Sequence, residues 1–512
     1  MKLDRRRRRW AAAMLFFAVF AVSLCLTGCS PELFWRRRIH LTDIVSAMLP
    51  PDWSYLPRIL GPLLATIQMS VTGTVLGAFL ALLIAPVCAG NLHGSPVLRK
   101  VIRTAVQVLR SFPVLILALT ATFLFGLGAF AGMTAITAYT FAIMTRLTYE
   151  DIETASMGPY RALCAMGAPP LSAFYRAVVP EITASYLTNA LYLLETNVRH
   201  SAILGYVGAG GIGLLLNEKI SWLEYDKVAA ILVVLFAASL IIESISRYLT
   251  ALVQGEQRVS RRARQLLILS GAAAFVICTL LLEPPDFAHT SLRTIQAMGV
   301  GLLHPDWAFF FRSDESGLLY LLLETVCIAV VGTCAGAVLA LPLAFLNTGR
   351  LVPRPLAALF RCLVTAIRSV PFLIYGLIFI RVTGPGAFTG VLTLAMCSVG
   401  LLTKRFTEAI ESLDFRAFHA LTAMGVSLLP RIRHALLPQL NAAFVSAVLY
   451  RFDVNIREAS VLGLVGAGGI GAPLIFAMNK FDWPTAGAIA LGLVLLVWLI
   501  DAVSRHLRRS IN

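Results

Sequence analysis

The chain has 512 residues, of which 58% are hydrophobic and only 14% charged, with a mean hydropathy of +0.80. A soluble domain is about 25% charged, so a water-soluble enzyme or binding module is excluded. Apolar runs near the ~20 residues that a helix needs to cross a bilayer indicate a polytopic membrane protein, built of helices because barrel strands would alternate in polarity. The net charge of +16 does not call for a nucleic-acid partner. The basic residues gather between apolar runs: Arg5–Arg9, then Arg99, Lys100, Arg103 and Arg110, then Arg258, Arg261, Arg262 and Arg264, then Arg505, Arg508 and Arg509. Positive clusters at span ends mark the cytoplasmic side. Nine cysteines are scattered with no CxxC pair or His/Cys cluster, so neither a metal site nor a disulfide framework is expected.

The basic start leads into an apolar run over residues 10–28. Leu26-Thr27-Gly28-Cys29 looks like a lipoprotein cleavage box. The comparable opening run at 266–282 favours an uncleaved first helix with its N-terminus inside. Arg36–Arg38 are then a local exception to the charge rule. Pro51-Asp52-Trp53 precedes a span over about 60–87, and Pro305-Asp306-Trp307 precedes its match over 318–345. Thr66 and Gly73-Thr74 in one span have partners Thr325 and Gly332-Thr333 in the other. Arg110-Ser111-Phe112-Pro113 matches Arg368-Ser369-Val370-Pro371, and from there the halves align without a gap at an offset of 258. Two spans follow, ending near Arg146 and Arg405. Next come the polar, amphipathic stretches 148–180 and 406–438, then a span through Tyr192 or Tyr450, and a closing span.

Between those last two spans stands Val-Gly-Ala-Gly-Gly-Ile-Gly, identical at 207–213 and 465–471. Gly208, Gly210 and Gly213, like Gly466, Gly468 and Gly471, spell G-x-G-x-x-G. A dinucleotide site needs a strand before that fingerprint and a helix after it within a βαβ unit, and no alternating strand pattern flanks either copy. With Gly211 and Gly469, these residues are read as Gly-rich helix breaks where backbones approach closely. The predicted architecture is all-α: about six spans per half and about twelve in all, as two parallel repeats at 1–253 and 266–512 joined by a basic cytoplasmic linker at 254–265. An even count per half puts both termini in the cytoplasm.

The polar stretches carry the most specific signal. The first reads Arg161-Ala162-Leu163-x3-Gly167 with Pro180 thirteen residues on, and the second His419-Ala420-Leu421-x3-Gly425 with Pro438 thirteen on. This resembles the signature loop of ABC importer permeases, Glu-Ala-Ala-x3-Gly-x9-Ile-x-Leu-Pro, with Arg161 and His419 where that family has Glu. The resemblance implies a type I (MetI-like) importer fold. It also implies a short coupling helix in each half that docks on an ATP-binding subunit, with ATP and Mg held by that partner dimer and no cofactor in this chain. Pro169-Pro170 suggests that the first loop is the less regular one.

The run Arg451-Phe452-Asp453-Val454-Asn455-Ile456-Arg457-Glu458-Ala459-Ser460-Val461-Leu462-Gly463 resembles permeases of phosphonate uptake. The first half keeps Glu195, Asn197, Arg199, Leu204 and Gly205 but has Leu193-Leu194 for Arg-Phe. Ionisable residues inside a span are functional candidates. Glu195 with Arg199, and Asp453 with Arg457, share a helix face at i, i+4. Two readings stand: the pairs are structural, or Arg199 and Arg457 with Asn197 and Asn455 line a passage for a small anion, to which arginine's planar fork is suited. The expected function is the permease of a phosphonate-type importer in the bacterial inner membrane, served by a periplasmic phosphonate-binding protein. Phosphite, a phosphate ester or methionine are alternative solutes, and an ion-coupled carrier is the alternative mechanism. Without a P-loop or catalytic constellation, the chain is not expected to be an enzyme.

Overall fold

A computed structural model describes residues 14–511 apart from 15, 93, 256–259, 286–291, 313 and 315. Arg5–Arg9 and Arg258 lie outside the described residues, as do the side chains of Arg261, Arg264, Arg508 and Arg509. Among the described residues every regular element is helical. The chain opens with α1 (Phe16–Leu26), α2 (Pro31–Arg36) and α3 (Arg38–Ala47). It continues through α4 (Leu56–Cys88), α5 (Pro96–Ser111), α6 (Val114–Phe125), α7 (Ala129–Thr154), α8 (Gly158–Ala165) and α9 (Pro170–Ala173). The first half closes with α10 (Val179–Leu204), α11 (Ile212–Ser221) and α12 (Tyr225–Val253). After α13 (Arg261–Leu280), α14 (Leu292–Leu303) and α15 (Trp307–Phe310), the series repeats. Its members are α16 (Leu318–Asn347), α17 (Arg354–Ser369), α18 (Phe372–Thr383), α19 (Ala387–Glu411), α20 (Arg416–Ala423), α21 (Leu428–Arg431), α22 (Leu437–Leu462), α23 (Gly471–Asn479) and α24 (Trp483–Ile511).

Five of these are long and apolar enough to cross a membrane: residues Trp53–Cys88, α12, α16, α19 and α24. Two bent pairs, α5–α6 and α17–α18, raise the count to seven. The expected total of about twelve takes in the shorter apolar α1 and α13 as well. It also takes in α7, α10 and α22, each of 26 residues. At ~1.5 Å per residue these last three exceed the ~30 Å hydrocarbon layer, although buried charges lower their hydropathy.

The third span of each half is not the straight helix its apolar run suggests. α5 and α6 meet at 94°, and α17 and α18 at 86°. The cause is the proline: Phe112 and Val370, each preceding one, are extended rather than helical because the ring crowds the preceding residue out of the helical region.

Contacts divide the chain into two compact units, 47–295 and 1–46 with 296–512. These do not coincide with the sequence repeats: α13 packs on α4, with Thr72 and Thr279 hydroxyls 3.4 Å apart, while α2 packs on α18. Each repeat thus gives up the helix that opens it. At the heart of one unit α4 lies against α7, and at the heart of the other α16 lies against α19. Small residues bring these backbones together. A Cβ on Gly73 would stand 2.8 Å from Ile136, and one on Gly77 2.6 Å from the Thr137 carbonyl. Gly332 and Gly336 meet Leu394 and Ser398 in the same way. This is the small-xxx-small packing of membrane helices, which gain van der Waals contact because lipid offers no hydrophobic drive between them.

Candidate functional site

Each Gly-rich stretch ends a long helix by a 3-10 turn and a left-handed glycine. α10 passes through Gly205–Val207 to Gly208 at φ +78°, and α22 through Gly463–Val465 to Gly466 at φ +73°. Only glycine adopts this backbone without penalty. Gly128 N donates to Gly208 O, and Gly386 N to Gly466 O, both at 2.9 Å. The Ile212 amide donates to Thr66 Oγ1 at 2.8 Å and the Ile470 amide to Thr325 Oγ1 at 3.1 Å. Gly210 abuts the Ala129 backbone and Gly468 that of Ala387, while Gly213 and Gly471 face the carbonyls of Ala202 and Ser460. No strand flanks either turn among the described residues, so the G-x-G-x-x-G spacing here serves helix packing.

The intramembrane pairs form as their spacing predicts. Arg199 Nη2 lies 3.1 Å from Glu195 Oε1, and Arg457 Nη2 lies 2.8 Å from Asp453 Oδ2. Asn197 and Asn455, both fully buried, turn instead into the interior of their own units. Asn197 Nδ2 donates to Thr74 Oγ1 and Thr140 Oγ1, each at 2.8 Å. Asn455 Nδ2 donates to Thr333 Oγ1 at 2.7 Å and Ser398 Oγ at 2.9 Å. Each asparagine therefore ties three long helices together. The matched Gly73-Thr74 and Gly332-Thr333 pairs supply both parts of this contact: the glycine admits the neighbouring helix and the threonine receives the amide.

A third ion pair, in the second unit alone of these two matched sites, was not anticipated. Arg451 is 2% exposed and places Nη2 2.7 Å from Glu458 Oε2, Nη1 3.3 Å from Oε1, and Nε 3.0 Å from Ser398 Oγ. Their separation of seven residues, two helical turns, was the available clue. The first half has Leu193 and His200 at these positions, and the His200 ring stacks edge-on against Tyr139 with centroids 5.3 Å apart.

The two cytoplasmic-loop candidates have one geometry. α8 and α20 are anchored by the buried Tyr160 and Phe418 and expose Arg161, Ala162, His419 and Ala420. Both end in a Schellman turn. Gly167 N donates to Cys164 O and Ala168 N to Leu163 O; Gly425 N donates to Thr422 O and Val426 N to Leu421 O. Gly167 and Gly425 have φ +86° and +74°. Met166 and Met424 stand exposed beside them.

The expected irregularity of the first loop is absent. α9 starts at Pro170 and α21 at Leu428, in register, because proline is tolerated in a first helical turn. Pro180 and Pro438 stand in the first turn of α10 and α22. π-helical turns, Phe174–Val178 and Ile432–Leu436, run straight into α10 and α22, with Val179 N bonded to Phe174 O and Leu437 N to Ile432 O. A proline has no amide for the regular ladder, and the wider turn accommodates it.

The loops, the glycine turns and the buried pairs all occur twice, in the same order. One family description, "Binding-protein-dependent transport system inner membrane component", matches the chain twice, at residues 73–255 and 332–512. The phosphate-import permease protein PhnE of Mycolicibacterium smegmatis is 30% identical over 480 residues, which cover 92% of this chain and 88% of that protein. The phosphite transport system permease protein PtxC of Stutzerimonas stutzeri is 39% identical over 189 residues, 37% of this chain and 69% of that protein. A solved inward-facing structure of the methionine ABC transporter MetNI is 21% identical, with a TM-score of 0.34, over 38% of this chain and 98% of that one. The chain belongs to the family of inner-membrane components of binding-protein-dependent transport systems, and it carries the family domain twice.

Proposed function

We propose that this chain forms both halves of the permease of an ATP-driven importer for phosphonate-type anions, with phosphite and phosphate in the same chemical class. The relatives named for phosphate import and phosphite transport support that class. The observation that carries the reading is the doubled loop. Two exposed short helices, each closed by a left-handed glycine and followed by a π turn into a span, stand ready for two copies of an ATP-binding subunit. That dimer would hold ATP and Mg. Its closure would draw on α8 and α20, and the π turns would pass the movement to α10 and α22, which carry Glu195–Arg199 and Asp453–Arg457. A periplasmic phosphonate-binding protein would deliver the anion to the face of Trp53 and Trp307, with both termini in the cytoplasm.

The test is growth of a strain lacking this gene on methylphosphonate, phosphite or phosphate as sole phosphorus source, with and without the gene restored. Loss of growth on at least one, regained on complementation, is expected. Undiminished growth on all three would overturn the substrate class.

A further inference from the structure

The π turns lead out of the short helices α8 and α20, and a second connection stands at their entry. Glu153, in the last turn of α7, precedes Gly158 at the start of α8 by the same five residues that separate Glu411, at the end of α19, from Arg416 at the start of α20. An arginine meets each acid. Arg103 of α5 pairs with Glu153, and Arg361 of α17 lies 3.2 Å from Glu411. The same guanidinium also reaches the last carbonyl of the span before it: Arg103 Nε donates to Cys88 O at 2.8 Å, and Arg361 Nη2 to Asn347 O at 3.4 Å. In the first unit the Gly90 amide donates to Glu153 Oε1 at 2.7 Å as well. Three helices therefore meet in one polar joint at the root of each short helix: α4, α5 and α7 in one unit, α16, α17 and α19 in the other.

The paired side chains are 33% and 34% exposed in the first unit and 57% and 42% in the second. Ion pairs this exposed add little to a fold, so stability does not account for the joint's presence in both units. Its surroundings have diverged: the Arg103 guanidinium stands 4.4 Å over the Tyr149 ring, where the second unit has Thr407. The bridge from arginine to acid is common to both. What it holds is one arm of an elbow, since α5 meets α6 at 94° and α17 meets α18 at 86°. The other arm, of twelve residues, carries about 18 Å along its axis. α6 packs on α7 and on the 3-10 turn before Gly208, and α18 on α19 and the 3-10 turn before Gly466.

We infer that Arg103–Glu153 and Arg361–Glu411 are positioning pairs, each pinning a bent helix to the root of a short loop helix. Displacement of α8 then swings α5 and α6 together and reaches the glycine turn of the same unit, and α20 acts in the same way through α17 and α18. The use of this linkage in transport rests on the importer reading, whereas the linkage itself does not.

Hydrogen exchange on the full chain in lipid nanodiscs tests the linkage. Arg103→Glu sets two carboxylates against each other and should speed amide exchange in both α5 and α8 about threefold or more. Adding Glu153→Arg restores opposite charges and should bring both helices back towards the parent rates. Arg361→Glu, alone and with Glu411→Arg, should do the same for α17 and α20. If Arg103→Glu fails to accumulate, Arg103→Gln is read in its place. Faster exchange in only one of the two helices, or in neither, or no recovery in the charge swap, would overturn the linkage. Gene-dependent uptake of labelled methylphosphonate, phosphite and phosphate by cells then tests its use. Arg103→Gln should lower the maximal rate about threefold or more while the half-saturating concentration stays the same. A maximal rate equal to the parent's would overturn the role in transport. Parent cells that take up none of the three anions, with exchange responding as expected, would sink the anion reading and leave the linkage standing.

Discussion

Asn197 and Asn455 occupy the same place in the two units, yet they are supported differently. In the first unit Asn197 holds Thr74 and Thr140, and the positions that match Arg451 and Glu458 are Leu193 and His200, the latter against Tyr139. In the second unit Asn455 shares Ser398 with Arg451, which is locked to Glu458. The same three-helix tie is thus embedded once in an apolar and aromatic setting and once in an ionic one. The two short-helix loops differ far less. One shared geometry is what docking on two copies of one subunit, as proposed, would require, whereas the interior of each unit has diverged.

That contrast is broken most severely at the loops. Ala162→Glu and Ala420→Glu each place a bulky acid on the exposed face of a short helix whose fold needs nothing from that side chain. Each should abolish ATP-driven uptake while leaving the protein in the membrane at normal levels, measured by uptake and by immunoblot of membrane fractions. The two variants should match each other closely. Full uptake with either one would remove that helix from the coupling path.

Next in size is the ionic setting. Arg451→Ala leaves the half-buried Glu458 carboxylate without its partner, a change that costs up to about 3–5 kcal/mol, the upper end being for a fully buried charge. The double variant Arg451→Leu with Glu458→His installs the pair that the first unit already uses, and should recover most of the loss. Thermal unfolding midpoints in detergent read both. Equal damage from the single and double variants would mean that the second unit needs the charges themselves.

Much of this was legible in the residues. The offset of 258 exposed the repeat, and the Gly-to-Pro spacing located two loops that proved alike. The i, i+4 spacing foresaw Glu195–Arg199 and Asp453–Arg457. Three things were not legible, each because it depends on a partner far away in sequence. Asn197 reads as a pathway residue until Thr74 and Thr140 are seen to receive its amide. Glu324 is one acid in an apolar run until the glycine turn, 145 residues on, closes over it. The exchange of α1–α2 and α13 between the repeats leaves no mark in either helix, since an apolar helix reads the same against any apolar neighbour.

A smaller effect separates the two asparagines. Asn197→Ala takes from Thr140 Oγ1 its hydrogen-bond partner outside the helix, whereas Asn455→Ala leaves Ser398 still bonded to Arg451 Nε at 3.0 Å. Interhelical hydrogen bonds in membranes are worth about 0.6–1.7 kcal/mol. Asn197→Ala should therefore be the more destabilising by roughly one such bond, as read by paired unfolding midpoints. The reverse order would show that Arg451 depends on Asn455 to hold Ser398 in place.

The smallest effect is expected where the second unit has a charge pair that the first lacks altogether. Arg416 and Asp414, at the start of α20, approach to 3.6 Å with side chains 93% and 64% exposed. Gly158 and Ser156 occupy these positions in the first unit, and α8 still forms with the same length and the same closing turn. An exposed pair in water gains little from Coulomb attraction and loses side-chain freedom, so its net worth is about 0–1 kcal/mol. Arg416→Gly should move the unfolding midpoint hardly at all and leave uptake unchanged. A marked loss of uptake without a change in stability would place Arg416 in contact with the ATP-binding partner, and would make the two coupling helices unequal in how they are gripped despite their shared backbone.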